Sequence, residues 1–204
     1  MSLQAPVFIV IGPPHHGKTE ARKILSELTY LKGASTSELI YRFLALRRNV
    51  SLESLQAIPK EELRPALIEA GDFMVGSISA IAEPPVNAEI EKVLYRIPSA
   101  LIRTMYLNGY NIIDGVRRKQ ELAEARTHLY WNGVRSLVLW IDRPGVETLK
   151  DNTELTAADA DEIVPNDGTL EDLRKKLKFV LEAHFGVQDE TPAPIPIVDL
   201  PPKA

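Results

Sequence analysis

Residues 8–25, FIVIGPPHHGKTEARKIL, constrain this chain more than any other stretch. An apolar, partly β-branched run (Phe8, Ile9, Val10, Ile11) stops at Gly12-Pro13-Pro14, and a segment with helical spacing follows Gly17-Lys18-Thr19. A continuous apolar run ended by glycine and proline reads as a strand buried on both faces, which belongs in a parallel sheet. Apolar residues at Ala21, Ile24, Leu25 and Leu28 then predict a helix over 18–31. Between them stands G-x-x-x-x-G-K-[ST]. Its glycines let successive backbone N–H groups turn inward at phosphate oxygens, and the following helix adds its positive N-terminal end. Lys18 is placed to reach the β- and γ-phosphates, and the Thr19 hydroxyl to ligate Mg²⁺. Gly12, Gly17, Lys18 and Thr19 together predict an ATP phosphate cradle.

The four variable positions hold two prolines and two histidines. The prolines donate no N–H, so the cradle's amides must come from residues 15–19. Adjacent residues do not normally converge on one ion, which argues against a His15–His16 metal pair. The expectation is that one imidazole faces the reacting phosphate or the acceptor and the other faces solvent.

The rest of the chain supports one enzyme-sized domain. Its 204 residues, 45% apolar, can bury a sizeable core. A net charge of −4 supplies no global basic field for nucleic acid. The absence of cysteine excludes disulfides and thiolate metal sites and suits a cytoplasmic compartment. No apolar run approaches the roughly 18–20 residues of a membrane span, so no membrane partner is expected. Strands are predicted at 7–11, 110–114, 136–141 and, briefly, 162–164. Helices are predicted at 18–31, 38–48, 60–70, 98–107, 118–131 and 170–185. "KGASTS" reads as a short connection, and Gly71 and Pro84-Pro85 as breaks. Strands separated by helices imply a mostly parallel sheet covered on both faces. The expected fold class is therefore α/β, a three-layer P-loop sandwich, spanning 1–186. A helical acceptor-binding insertion occupies about 36–108 and a short lid about 143–165. Five prolines in the last 13 residues mark 187–204 as an extended or disordered tail.

A second group must hold or orient the metal from the end of a neighbouring strand. "YNIIDGVRR" supplies it: Asp114 follows an apolar strand, where ligands gather in such sheets. It could ligate Mg²⁺ or its water, or accept the acceptor's proton. Arg117, three residues on, could clamp the transferring phosphate, with Glu121 as its partner one helical turn away. Arg64, just before Pro65, is a candidate contact to acceptor or phosphate. The connection from Arg143 is poor in basic residues, which shifts charge compensation onto Lys18, Arg117, Arg143 and the insertion.

Several pieces together resemble the phage deoxynucleoside monophosphate kinase family, among the thymidylate-kinase-like P-loop kinases. They are the phosphate loop, then "LRPALIEAG", "IIDGVRRKQEL", "IDRP", "NTEL" and "DEIVPNDGTLEDLRKKL", in order over roughly residues 6–185. The resemblance implies phosphoryl transfer from ATP–Mg²⁺ to a nucleotide-like acceptor. It puts Asp114 and Arg117 at the reaction centre, Arg143 and Asn166 on the ATP side, and Arg64 on the acceptor. Thr19 stands where that family commonly has Asp. Phage kinases of this build include enzymes acting on 5-hydroxymethyluracil within DNA, so modified DNA is the alternative acceptor. Arg42, Arg47 and Arg48 with Arg117, Arg118 and Lys119 would line its groove if they share a face. A phage-encoded protein would act in the host cytoplasm, and a homodimer is compatible with this reading. A P-loop ATPase is a third reading; a GTPase is disfavoured because N-K-x-D does not occur.

Overall fold

The computed structural model describes residues 4–74, 100–146 and 153–186. Five parallel strands in the order β2-β3-β1-β4-β5 make one sheet. They are β1 (Val7–Ile11), β2 (Gly33–Ser35), β3 (Ile112–Asp114), β4 (Ser136–Asp142) and β5 (Glu162–Pro165). β1 lies at the centre with every residue buried, as its uninterrupted apolar run requires.

Side-chain alternation sorts the sheet into two faces. Val7, Ile9 and Ile11 join Ile113 and Val138 beneath α5 (Ala100–Leu107) and α6 (Lys119–Trp131), which contribute Ile102, Met105, Leu122, Ala125 and Leu129. Phe8 and Val10 join Ile112, Leu137, Leu139 and Ile141 on the opposite face. There α1 (Lys18–Thr29) and α7 (Leu170–Phe185) add Ala21, Ile24, Leu25, Leu173 and Leu177. The result is a sheet between two helical layers, the expected class. Among the described residues no helix is long and apolar enough to cross a membrane.

Three further helices stand beside the sheet: α2 (Thr36–Arg48), α3 (Leu52–Gln56) and α4 (Lys60–Met74). They close on a small core of their own, Leu44, Ala45, Leu55 and Leu63, with Tyr41 and Leu67 packed against it. These helices fall within the span 36–108 expected for an insertion, and α5 stands at the far end of that span. Residues of α5 bury into the sheet core, so that helix belongs to the main body.

Other departures have local causes. "KGASTS" contains β2, an edge strand made by pairing Gly33–Ser35 with Ile112–Asp114. Its Gly-Ala-Ser sequence has no β-branched residue to announce it. Gly71 does not end its helix, because α4 continues to Met74 with Gly71 facing Ile40 of α2. Of the expected lid, residues 153–165 belong to the body. Leu155 is buried in the core, the Glu154 N–H donates to the Arg117 carbonyl at 2.8 Å, and β5 pairs with β4. The Pro84-Pro85 break, lid residues 147–152 and the tail 187–204 lie outside the described residues.

Leu139 is fully buried in the interior strand β4, next to β1. Leu139→Ala is expected to lower the unfolding free energy by about 2–5 kcal/mol, measured by urea titration.

Candidate active site

At the end of β1 the chain turns so close to β4 that a Cβ on Gly12 would lie 2.5 Å from the Ile141 carbonyl oxygen. Gly12 also has φ 138°, so glycine is required there on both counts. The loop then runs to Gly17, which caps α1 in a left-handed conformation. Lys18 folds back over the loop, and its Nζ donates to the carbonyl oxygens of Gly12 (2.7 Å) and Pro13 (2.6 Å). A phosphate entering this turn meets the ammonium and the N-terminal amides of α1 together.

The two histidines have divided roles, and not as the sequence suggested. His16 is buried and does not line the cavity beside the loop. The Arg143 backbone N–H donates to its Nδ1 at 2.8 Å, while Asp142 Oδ1 stands 3.4 Å from the same nitrogen. The shorter contact is to a donor, so the ring is neutral and carries its proton on Nε2, which has no partner among the described residues. Burial lowers the His16 pKa from its usual value; the nearby Asp142 carboxylate opposes this, and the Lys18 charge adds to it. His15 is the exposed member and lines a cavity beside the loop. It does so with φ 64°, a left-handed conformation uncommon for a residue with a Cβ and frequent at ligand sites.

Asn166, expected on the ATP side, stands behind the loop. Its buried amide donates to the His16 carbonyl at 2.9 Å, which fixes the strand-to-helix turn from the back. Arg143 is exposed at the end of β4 and is tied to the loop through its backbone.

On the other side of β1, Asp114 ends β3 and is almost fully buried. Its carboxylate meets Arg22 of α1, with Nε to Oδ2 at 2.9 Å. Arg22 was not singled out from the sequence, although its place three residues after Thr19 puts both on one helical face. Arg117 is half-buried and opens into the same space as Asp114. Glu121 lies beneath that turn, fully buried. Instead of only facing the Arg117 guanidinium, its carboxylate takes the backbone N–H groups of Arg117 and Arg118, a capping arrangement for α6. Burial pushes its pKa up to about 8, with the two N–H donors and two arginine charges opposing the rise.

These pieces border a cavity of about 540 Å³. Gly17, Lys18 and Thr19 form one end, Asp114, Gly115 and Arg117 one side, and Tyr41, Arg64 and Leu67 the wall supplied by α2 and α4. Arg64 lines this cavity, whereas Arg42 is exposed and does not. Three of the side chains named for a basic groove stand near acids. Arg47 approaches Glu69 at 4.0 Å, Arg118 approaches Glu154 at 3.5 Å, and Lys119 approaches Asp159 at 3.7 Å.

Thr19 and Asp114 face one cavity, and among the described residues no group of three or more acidic, histidine or cysteine side chains could hold a metal. One hydroxyl and one carboxylate fit a cation completed by phosphate and water oxygens, which is the habit of Mg²⁺.

No protein-family model and no curated protein matches the chain. Among solved structures it is similar to a putative kinase from Chloroflexus aurantiacus (12% identity, TM-score 0.45, 88% of this chain and 98% of that one). It is also similar to an APS kinase of Mycobacterium tuberculosis (12%, 0.42, 88% and 99%). A third is the dephospho-CoA kinase from Campylobacter jejuni (17%, 0.37, 87% and 96%).

Two of the buried titratable groups, His16 and Glu121, set opposite pH dependences. His16 is held neutral when folded and protonates first when unfolded. Stability is full above about pH 6.5 and falls as pH drops through that value. His16→Asn, whose Oδ1 can accept the Arg143 N–H, is expected to flatten this acid limb in melting curves. Glu121 keeps its proton when folded and loses it when unfolded, so stability declines as pH climbs from the ordinary glutamate range to about 8. Glu121→Gln is expected to remove that decline.

Proposed function

We propose that this chain is an ATP-dependent phosphotransferase of the kinase type, moving the γ-phosphate of ATP–Mg²⁺ to a free deoxynucleoside monophosphate. The observation that carries this reading is the shared cavity: the phosphate-loop residues, the strand-end acid and a chamber under α2 and α4 border one space. A hydrolytic switch needs the first two parts. A transferase also needs the chamber, so that an acceptor can sit in line with the γ-phosphate.

Each residue then has a physical task. The loop amides and the N-terminus of α1 bind the phosphates, and Lys18 neutralises charge on the β- and γ-oxygens. When bound, Mg²⁺ would supply positive charge to offset what develops on the phosphates in transfer. Thr19 and Asp114 would hold it, Thr19 through its hydroxyl and Asp114 directly or through a bound water. Arg117 clamps the group in transit, and Arg64 draws the acceptor's own phosphate into the chamber. Ile40, Leu67 and Ile68 offer an apolar surface beside the Tyr41 ring, which suits a nucleobase, while Ser35, Ser37 and Glu61 offer hydrogen-bonding groups.

A compact acceptor is supported over a polymer. The volume lies in the range of small-molecule sites, about 300–1,000 Å³. Two arginines, Arg64 and Arg117, line it, while Arg47, Arg118 and Lys119 approach acids elsewhere.

The test supplies labelled ATP–Mg²⁺ with each deoxynucleoside monophosphate, and with DNA containing or lacking 5-hydroxymethyluracil. Label is expected in a free nucleotide, with Lys18→Ala slowing transfer at least about hundredfold and leaving the melting temperature near that of the wild type. Label only in the modified DNA replaces the acceptor. Acceptor-independent ATP consumption replaces transfer by hydrolysis, and full turnover by Lys18→Ala overturns the reading.

A further inference from the structure

We infer that Arg22 is a positioning residue for the metal-side carboxylate: from behind the cavity it fixes which oxygen of Asp114 faces the phosphates. This deepens the phosphotransferase reading and rests on it.

The geometry begins with strand parity. Ile112 faces the α1 side of the sheet, so Asp114, two residues later, is directed to that side as well. There it is nearly buried, with its side chain 4% exposed, and a buried carboxylate must be paired or its folding cost is large. Arg22 answers it with an Nε–Oδ2 hydrogen bond of 2.9 Å, its own side chain only 16% exposed. Among the described residues no other side-chain bond to Asp114 is made, so Oδ1 is the oxygen left for a ligand.

Arg22 is itself held in place. A Cβ on Gly33 of β2 would come 2.9 Å from Arg22 Cγ and 2.8 Å from Ser26 Oγ, so the arginine stem runs tightly against the edge strand. β2 is also the strand whose Ser35 pairs in register with Asp114. The guanidinium is thus clamped between α1 and the strand that flanks its target. It does not line the cavity, whereas Asp114 and Thr19 do. An arginine in that place cannot serve as a phosphate ligand without leaving Asp114 buried and unpaired.

Two consequences follow for the site. First, Thr19 and Arg22 lie one turn apart on α1, so the ion pair sets the spacing between the Thr19 hydroxyl and Asp114 Oδ1, the two groups assigned to the metal. Second, the arginine charge offsets the repulsion that a bare carboxylate would impose on a triphosphate. Partners standing behind a metal-side ligand typically change metal affinity by about 10–100-fold when removed.

The experiment is isothermal titration of ATP into the full chain, with Mg²⁺ and with EDTA. The variants are Arg22→Met, Arg22→Lys, Asp114→Asn and the Arg22→Met/Asp114→Asn pair. The quantity read is the factor by which Mg²⁺ strengthens ATP binding. Arg22→Met is expected to cut that factor at least about tenfold while leaving metal-free binding near wild type. Arg22→Lys recovers part of it, and the double variant is no worse than Asp114→Asn alone, because the two residues act as one unit. If Arg22→Met folds poorly, the Arg22→Lys factor decides, expected between wild type and Asp114→Asn; a value equal to wild type overturns the inference. Wild-type Mg²⁺ dependence in Arg22→Met, with only the melting temperature lowered, reduces the pair to a fold contact and overturns the inference alone. Absence of Mg²⁺-strengthened binding in the wild type overturns the phosphotransferase reading with it.

Discussion

A loop that aims its N–H groups at a phosphate must turn carbonyl oxygens elsewhere, and each of those needs a donor. The surroundings of the site follow from how this chain supplies them. Lys18 Nζ serves the carbonyls of Gly12 and Pro13, Asn166 serves that of His16, and the first amide bond of α1, from Ala21, serves that of Gly17. His16 then accepts the Arg143 N–H and ties the turn to the end of β4. The carbonyl oxygens of Gly12, Pro13, His16 and Gly17 are thus all met by protein donors.

The same division between front and back recurs at β3. Asp114 and Arg117 open into the cavity, and each rests on a group that does not. Arg22 stands behind Asp114, and Glu121 receives the amides of the turn that carries Arg117. Both supports are charged or polar groups taken out of water, which is costly unless every bond is made. Glu121 meets that cost by retaining its proton up to about pH 8, and Arg22 by pairing. In the proposed reaction these supports would hold the charged groups in place as phosphate charge shifts between oxygens.

Much of the fold was legible because its signals are local. The apolar run of β1 and the period of α1 each declare themselves within a few residues. β2 was not legible, since Gly-Ala-Ser becomes a strand only when β3 lies beside it. At the site, Lys18, Thr19, Asp114, Arg117 and Arg64 were named from the chain and meet at one cavity. Arg42 was also named and points elsewhere, because a helix hands successive residues to different sides: Ile40 and Tyr41 face the chamber and Arg42 does not.

By itself the sequence determined that a glycine-bracketed turn joins a buried strand to a helix, with a lysine and a hydroxyl at its rim. That pattern depends only on neighbours along the chain and on the conformations glycine permits. Tertiary structure alone decided what the two histidines do. His16 lies 127 residues from Arg143 and 150 from Asn166, and its burial between them makes it a brace, leaving His15 to line the cavity. Contacts at such separations are set by sheet order, and no short pattern of residues encodes which strand end will stand beside the loop.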